Sequence, residues 1–172
     1  MTLAELDASV KSNFASKNWN RNAYGLSKAA LNALTLIQAR TYPNILVTSL
    51  SPGFIDTGMT KGYGAKLTPE QGCVSSIKCL FGSVITGCYY GSDGLRSPLA
   101  VGRDPGTPEY QGEINPDPAK YKRSSWAPIE LCQIWNKTSV YFYIEIYEAL
   151  FAKLNGKNKL HFFKVVIALL II

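Results

Sequence analysis

The stretch AYGLSKAALNALTLIQARTYPNILVTSLSPG, residues 23–53, contains a helix followed closely by a strand. Residues 22–41 are rich in Ala, Leu, Lys, Gln and Arg, and their apolar side chains recur at helical spacing, which predicts a long helix that Pro43 ends. Residues 44–53 hold an apolar, β-branched run that Pro52 and Gly53 stop. Such a run suits a parallel strand covered on both faces, so the fold class predicted is α/β.

Two further helices are predicted on either side of this unit. Residues 2–16 carry apolar side chains at near-helical spacing, and Thr2 with Glu5 has the form of a capping box. Thr68 opens a second capping-box sequence with a proline at its first helical position, and that helix should run to about Phe81. The order of elements predicts part of an α/β sheet.

The rest of the chain divides by composition. Residues 86–91 predict a short strand, and residues 92–125 predict a surface loop because Gly, Pro and Asp are frequent. Residues 1–123 are therefore taken as one domain segment and residues 124–172 as an unassigned aromatic and apolar tail. Two interpretations of the tail stay open. One is sequence from a shifted reading frame or a retained intron, which we favour, and the other is a membrane- or partner-facing segment.

Charge and cysteine usage exclude several classes of function. The net charge of +6 is scattered without a long Lys/Arg run, so no nucleic-acid partner is expected. The four cysteines show no C-x-x-C spacing and the chain has one histidine, which argues against a metal site and a Ser-His-Asp hydrolase. No signal peptide is evident at the start, so we expect a cytoplasmic protein.

The candidate catalytic pair is Tyr24 and Lys28. The two residues are one helical turn apart and share a helix face, although a Y-x-x-x-K pair alone is expected about once by chance in such a chain. A nearby cation favours the phenolate form of a tyrosine, which suits a general acid for a carbonyl oxygen that receives a hydride. The following strand ends at Pro52 and Gly53, and ligands bind at that end of an open α/β sheet.

The order YGLSKAALNALT and then NILVTSLSPGFIDTGM resembles the short-chain dehydrogenase/reductases, and most of all their carbonyl reductase-like branch. The resemblance covers roughly residues 3–100 and extends to the segment TPEQGCVSSIKCLFG and the strand TGCYYGSDG. It implies a partial Rossmann-type fold, which is a doubly wound, mostly parallel sheet with flanking helices. Within that family the chain is similar to a C-terminal half.

The resemblance also implies roles for particular residues. Tyr24 would donate a proton to the substrate carbonyl, and Lys28 would favour the phenolate and hydrogen-bond the nicotinamide ribose. The residues implied to hold the nicotinamide carboxamide are Pro52, Gly53, Ile55 and Thr57. The implied cofactor is NADP (NADPH), with NAD left open, and the implied substrate is a small carbonyl or alcohol.

The chain departs from the family pattern in two places. No glycine-rich phosphate-binding turn opens the fold, and the glycines of KGYGAK lack the strand-then-helix setting of such a turn. The serine that polarises the carbonyl has no counterpart, because Ser9 and Ser12 lie on the first predicted helix. We therefore expect weak or no nicotinamide binding and no turnover by this chain alone. The alternative is a non-enzymatic fragment or small binding module.

Overall fold

The computed structural model describes residues 1–16 and 23–121, together with the backbone of residues 164–168. The helices and strands, in chain order, are α1 (Leu3–Ala15), α2 (Ala23–Thr41), β1 (Leu46–Leu50), α3 (Pro69–Gly72), α4 (Val74–Phe81), β2 (Tyr89–Tyr90), β3 (Arg96–Ser97), α5 (Pro118–Tyr121) and β4 (Lys164–Ala168).

The four strands form one sheet in the order β3-β2-β1-β4. Strand β1 is parallel to both of its neighbours, with Leu50 opposite Tyr90 on one side and Leu46 opposite Lys164 on the other. Strand β3 is antiparallel to β2. The mostly parallel sheet with flanking helices confirms the predicted α/β, partial Rossmann-type fold. Strand β4 belongs to the tail, and it adds a strand to this sheet that the sequence analysis did not assign.

Helices α1 and α2 pack together through a small apolar core. Leu6 of α1 is buried with Leu34 and Ile37 of α2, and partly buried alanines of α2 complete the contact. The predicted capping box begins α1, since the Thr2 hydroxyl accepts from the Glu5 amide at 3.2 Å and the Glu5 carboxylate accepts from the Thr2 amide at 2.8 Å. The predicted apolar stripe of α2 is thereby confirmed at its C-terminal half.

The helix predicted from Thr68 to Phe81 is divided in two. It begins as predicted, because the Gln71 amide donates to the Thr68 hydroxyl at 3.3 Å. The Cys73 amide then bonds three residues back, to the Glu70 carbonyl at 3.1 Å, which tightens the last turn of α3. Helix α4 continues from Val74 and packs Cys79 against Leu50 and Tyr90 of the sheet.

The segment predicted as loop, residues 92–125, also contains regular structure up to Tyr121. Strand β3 pairs with β2, and its Arg96 is held by a second segment, because the Tyr110 amide donates to the Arg96 carbonyl at 3.1 Å. Helix α5 ends in Tyr121, which is fully buried. Long-range pairing and burial of one aromatic side chain therefore order a segment whose composition predicts only turns. Within the described residues, no helix has the length and apolar character needed to cross a bilayer.

Candidate active site

Helix α2 and strand β1 bring the two groups of candidate residues to the same end of the sheet. Only residues 42–45 connect them, and the Ile45 amide closes that connection on the Tyr42 carbonyl at 3.0 Å. A connection of only four residues must reverse the chain for α2 to pack on β1, so the two run in roughly opposite directions. From Tyr24 to the end of α2 is about 26 Å at ~1.5 Å per residue, and from Leu46 to Gly53 is about 23 Å at ~3.3 Å per residue. The start of α2 therefore lies near the carboxyl end of β1.

The side chains of Tyr24 and Lys28 are in contact on the first turns of α2. The Lys28 ammonium lies 5.2 Å from the centroid of the Tyr24 ring, within the range of a cation–π contact. Both side chains are partly buried, and burial lowers the pKa of Lys28 from its ordinary value. The Ser27 hydroxyl donates to the Tyr24 carbonyl at 2.7 Å in the same turn. The structure thus brings the predicted pair, Tyr24 and Lys28, together in a partly desolvated environment.

Gly53 makes the sharp turn at the end of β1. Its φ of +80° lies in the left-handed region. A Cβ on Gly53 would lie 2.6 Å from Leu67 Cδ1 and 2.9 Å from Ser92 Cβ, so neither the conformation nor the space suits another residue. The Ser51 hydroxyl accepts from the Gly53 amide at 3.2 Å and steadies the turn.

Ser51 is itself fixed from several sides. Its amide donates to the Tyr90 carbonyl at 2.9 Å, and its carbonyl accepts from the buried Ser75 hydroxyl of α4 at 2.9 Å. Burial raises the pKa of the neighbouring Tyr89, and a hydrogen bond with the Ser51 side chain partly opposes that rise. The turn is therefore built on the sheet and on α4.

Ile55 and Thr57 are held by a residue that the sequence analysis missed, Thr60. The Thr60 side chain is 2% exposed. Its hydroxyl donates to the Ile55 carbonyl, accepts from the Thr57 amide at 2.8 Å and lies 3.1 Å from the Thr57 hydroxyl. Leu67 adds a parallel bridge to Ile55. The spacing Thr57-Gly-Met-Thr60 is the one sequence signal that could have indicated this arrangement.

The predicted site residues therefore form two groups. Tyr24 and Lys28 contact each other on α2. Pro52, Gly53, Ile55 and Thr57 share the loop that leaves β1. The first group is near the second through the packing of α2 on β1, and the roles implied for the six residues stay predictions.

The loop after β1 contains three glycines, Gly58, Gly62 and Gly64, with the sequence spacing of a phosphate-binding turn. The loop is exposed there, and a Cβ on any of the three would meet nothing within 4 Å. It leads to α3, a helix of only four residues whose start is capped by Thr68. The glycines therefore neither bring the backbone close to a neighbour nor open a long helix, as a dinucleotide-binding turn requires.

Comparison with known proteins gives two relatives. The chain is 39% identical over 66 residues to short-chain dehydrogenase/reductase 1 of Saponaria officinalis, which is 37% of this chain and 22% of that protein. It is 38% identical over 64 residues to (+)-neomenthol dehydrogenase of Arabidopsis thaliana, which is 36% of this chain and 21% of that protein. No family model matches the chain, and no solved structure matches it significantly.

Over the matched stretches, these similarities agree with the resemblance to short-chain dehydrogenase/reductases. The matched stretch spans about a fifth of the length of either curated relative. The comparisons support the resemblance to short-chain dehydrogenase/reductases in general. The placement in the carbonyl reductase-like branch stays a prediction.

Proposed function

We propose that this chain carries the proton-transfer and nicotinamide-facing part of an NADP-dependent oxidoreductase. Its reaction is hydride transfer between the nicotinamide and a small carbonyl or alcohol, as in carbonyl reductases. The contact between Tyr24 and Lys28, at the same end of the sheet as the Gly53 turn, carries the proposal. The names of the two relatives, a dehydrogenase/reductase and a dehydrogenase, agree with an oxidoreductase.

The residues proposed to act in the chemical step belong to α2. The Tyr24 hydroxyl donates a proton to the carbonyl oxygen as it gains negative charge, and takes the proton back in the reverse direction. The Lys28 ammonium favours the phenolate that Tyr24 becomes, because it is a positive charge held against the same ring. Lys28 also hydrogen-bonds the ribose hydroxyls next to the nicotinamide. The nicotinamide supplies the hydride when it is bound.

The loop after β1 fits the nicotinamide end of such a cofactor. Gly53 makes the sharp turn at the end of β1, against which Leu67 and Ser92 pack, and Ile55 and Thr57 follow directly from it. Thr57 is exposed while its hydroxyl is held in place by Thr60, so a fixed polar group faces a ligand edge. The described residues give no comparable cradle for the pyrophosphate, because the glycine loop at 58–64 is open and the helix after it is short. Affinity should therefore come from the nicotinamide and its ribose.

The experiment is a ligand-observed NMR titration of the purified 172-residue chain. Reduced nicotinamide mononucleotide and NADPH are titrated in parallel into the millimolar range. We expect weak binding of both, with NADPH binding no more than about threefold tighter, because the phosphate contacts that normally add affinity have no counterpart here. Lys28→Met should weaken both, and Lys61→Met, an exposed lysine on the loop, is the matched control.

Three results bear on the proposal. Binding that Lys28→Met weakens and Lys61→Met spares supports it. Absence of binding by either nucleotide contradicts it and leaves a non-enzymatic binding module. Carbonyl reduction by the chain alone, lost in Tyr24→Phe, would support the chemistry and overturn the expectation that the chain is inactive by itself.

A further inference from the structure

The loop after β1 contains a hydroxyl whose hydrogen bonds can be fully assigned. Thr60 Oγ1 has one proton to donate and two lone pairs to accept with. Its possible acceptors are the Ile55 carbonyl, the Thr57 carbonyl at 3.3 Å and the Thr57 hydroxyl at 3.1 Å. The two carbonyl oxygens can only accept, whereas the Thr57 hydroxyl can also donate. The Ile55 carbonyl is much the shortest of the three contacts, and since it has no proton of its own, the single Thr60 proton is directed to it.

This assignment fixes the proton of Thr57. At the 3.1 Å contact between the two hydroxyls, either oxygen could donate by geometry alone. Because the Thr60 proton is already used, Thr57 must be the donor. The other lone pair of Thr60 accepts the Thr57 amide at 2.8 Å. The Thr60 hydroxyl, which is buried, is then saturated.

Thr57 is left with lone pairs only on the side that faces outward. Thr57 is an exposed residue of the loop, while its hydroxyl proton points into the loop toward Thr60. A ligand atom that meets this oxygen must itself donate a hydrogen bond. An amino group satisfies that condition and a carboxylate oxygen does not.

We propose that Thr60 is a positioning residue that sets Thr57 as a hydrogen-bond acceptor, so that the site takes a carboxamide in preference to a carboxylate. The inference rests on the proposed function, since it concerns the same nicotinamide-facing loop. Thr60 does not touch the ligand and acts through Thr57. A ligand that covers the Thr57 hydroxyl removes it from water, so an amino group that donates to this oxygen is favoured over a carboxylate oxygen that cannot.

The test compares nicotinamide mononucleotide with nicotinic acid mononucleotide, which carries a carboxylate in place of the carboxamide. Both are titrated into the full chain, and the ratio of the two dissociation constants is measured by NMR. We expect wild type to bind the carboxamide nucleotide about tenfold more tightly than the carboxylate nucleotide. The carboxylate loses one hydrogen bond, because its oxygen and the Thr57 oxygen would both be acceptors. Thr60→Val should reduce the preference below about twofold, because the Thr57 proton is free to turn outward. Thr60→Ser, which keeps the hydroxyl, should restore it.

A purely structural role of Thr60 would weaken both ligands together and leave their ratio unchanged. Because Thr60→Val could also loosen the loop, Thr57→Val is the second variant. It removes the outward acceptor, leaves the Thr60 bond to Ile55 in place, and should likewise abolish the preference. If both nucleotides bind but neither valine variant changes the ratio of their dissociation constants, the roles assigned to Thr60 and Thr57 are overturned. The proposed nicotinamide site would stand in that case. Absence of any binding by wild type overturns the proposed nicotinamide site and this inference with it.

Discussion

The ammonium of Lys28 lies 5.2 Å from the centre of the Tyr24 ring, in contact with the face of the ring. One helical turn separates the two residues, so the backbone of α2 alone sets this relationship. The lysine is partly withdrawn from water by its surroundings, and that burial lowers its pKa. The positive charge of Lys28 therefore lies where burial destabilises it, as is common for residues of functional sites.

Lys28→Met is expected to raise the stability of the chain at neutral pH. The pKa of Lys28 is lowered on folding from an ordinary value of 10.5. The unfolded chain therefore holds the proton more tightly, and the penalty for the buried charge is fully present below the folded pKa. It disappears as the pH rises through the unfolded value. The free energy of unfolding of the variant should exceed that of wild type near pH ~7, and the difference should narrow toward pH ~11.

Chemical unfolding of both proteins at these two pH values measures the difference. Lys61→Met serves as the control for replacing a lysine by methionine, because Lys61 is exposed on the loop. A stability gap for Lys28→Met that stays constant with pH would mean that the lysine charge is not penalised by burial.

Gly53→Ala is expected to destabilise the chain more than Gly62→Ala. Both glycines have positive φ, +80° and +87°, so each alanine should cost about 1 kcal/mol from the backbone. Only at Gly53 would the new Cβ meet Leu67 and Ser92 closer than 3.0 Å, whereas at Gly62 it would meet nothing within 4 Å. The additional overpacking should bring the cost at Gly53 to about 3 kcal/mol. Equal losses in urea unfolding would show that the turn tolerates the side chain.

Asp93→Asn should be strongly destabilising, because Asp93 is the partner of a fully buried cation. The Arg103 side chain is 0% exposed and pairs through Nη2 with the Asp93 carboxylate, while its Nη1 donates to the Thr107 carbonyl at 2.6 Å. Removing the negative charge leaves a buried guanidinium without its counter-ion, which costs about 3 kcal/mol or more.

The matched control is Asp7→Asn. Asp7 pairs with Lys11 at 2.7 Å on α1, but the two side chains are 48% and 57% exposed. An exposed pair one helical turn apart contributes only about 0.5 kcal/mol. If the two asparagine variants lose similar stability in urea, the Arg103 pair does not anchor the 92–121 segment.

The α2–β1 unit could be predicted from sequence because its signals are local. Helix formers with an apolar stripe specify α2, Pro43 ends it, and Thr68 with Gln71 announces the start of α3. Each of these signals depends on side chains within one or two turns of each other. The Tyr24–Lys28 contact was predictable for the same reason.

The features that the sequence did not reveal depend on long-range packing. Strand β3 has only two residues, Arg96 and Ser97, and it is held by the segment around Tyr110. The side chain of Thr60 is one hydroxyl among many until Ile55 and Thr57 fold around it. Composition counts residue types and cannot report which distant backbone groups a side chain will reach.

Glu113 provides a prediction at low pH. Its carboxylate accepts from the Lys120 ammonium and, at 2.8 Å, from the hydroxyl of the buried Tyr121. The hydrogen bond from Lys120, with smaller contributions from a backbone hydrogen bond and Tyr121, lowers the pKa of Glu113 to about 2. A carboxyl group whose pKa falls on folding adds stability that is complete above the unfolded value of 4.5 and is lost as the pH falls through the folded value.

A double-mutant cycle with Glu113→Gln and Lys120→Met isolates this contribution. The coupling between the two side chains, measured by unfolding, should be present at pH ~6 and should fall away as the pH approaches ~2, because the carboxylate then takes up a proton in both states. Tyr121→Phe keeps the buried ring and removes only one hydrogen bond. It should therefore weaken, without abolishing, the pH dependence of stability that Glu113 contributes. A coupling that is equally large at both pH values would show that the pair acts through packing, and that charge does not hold α5 against the segment around Glu113.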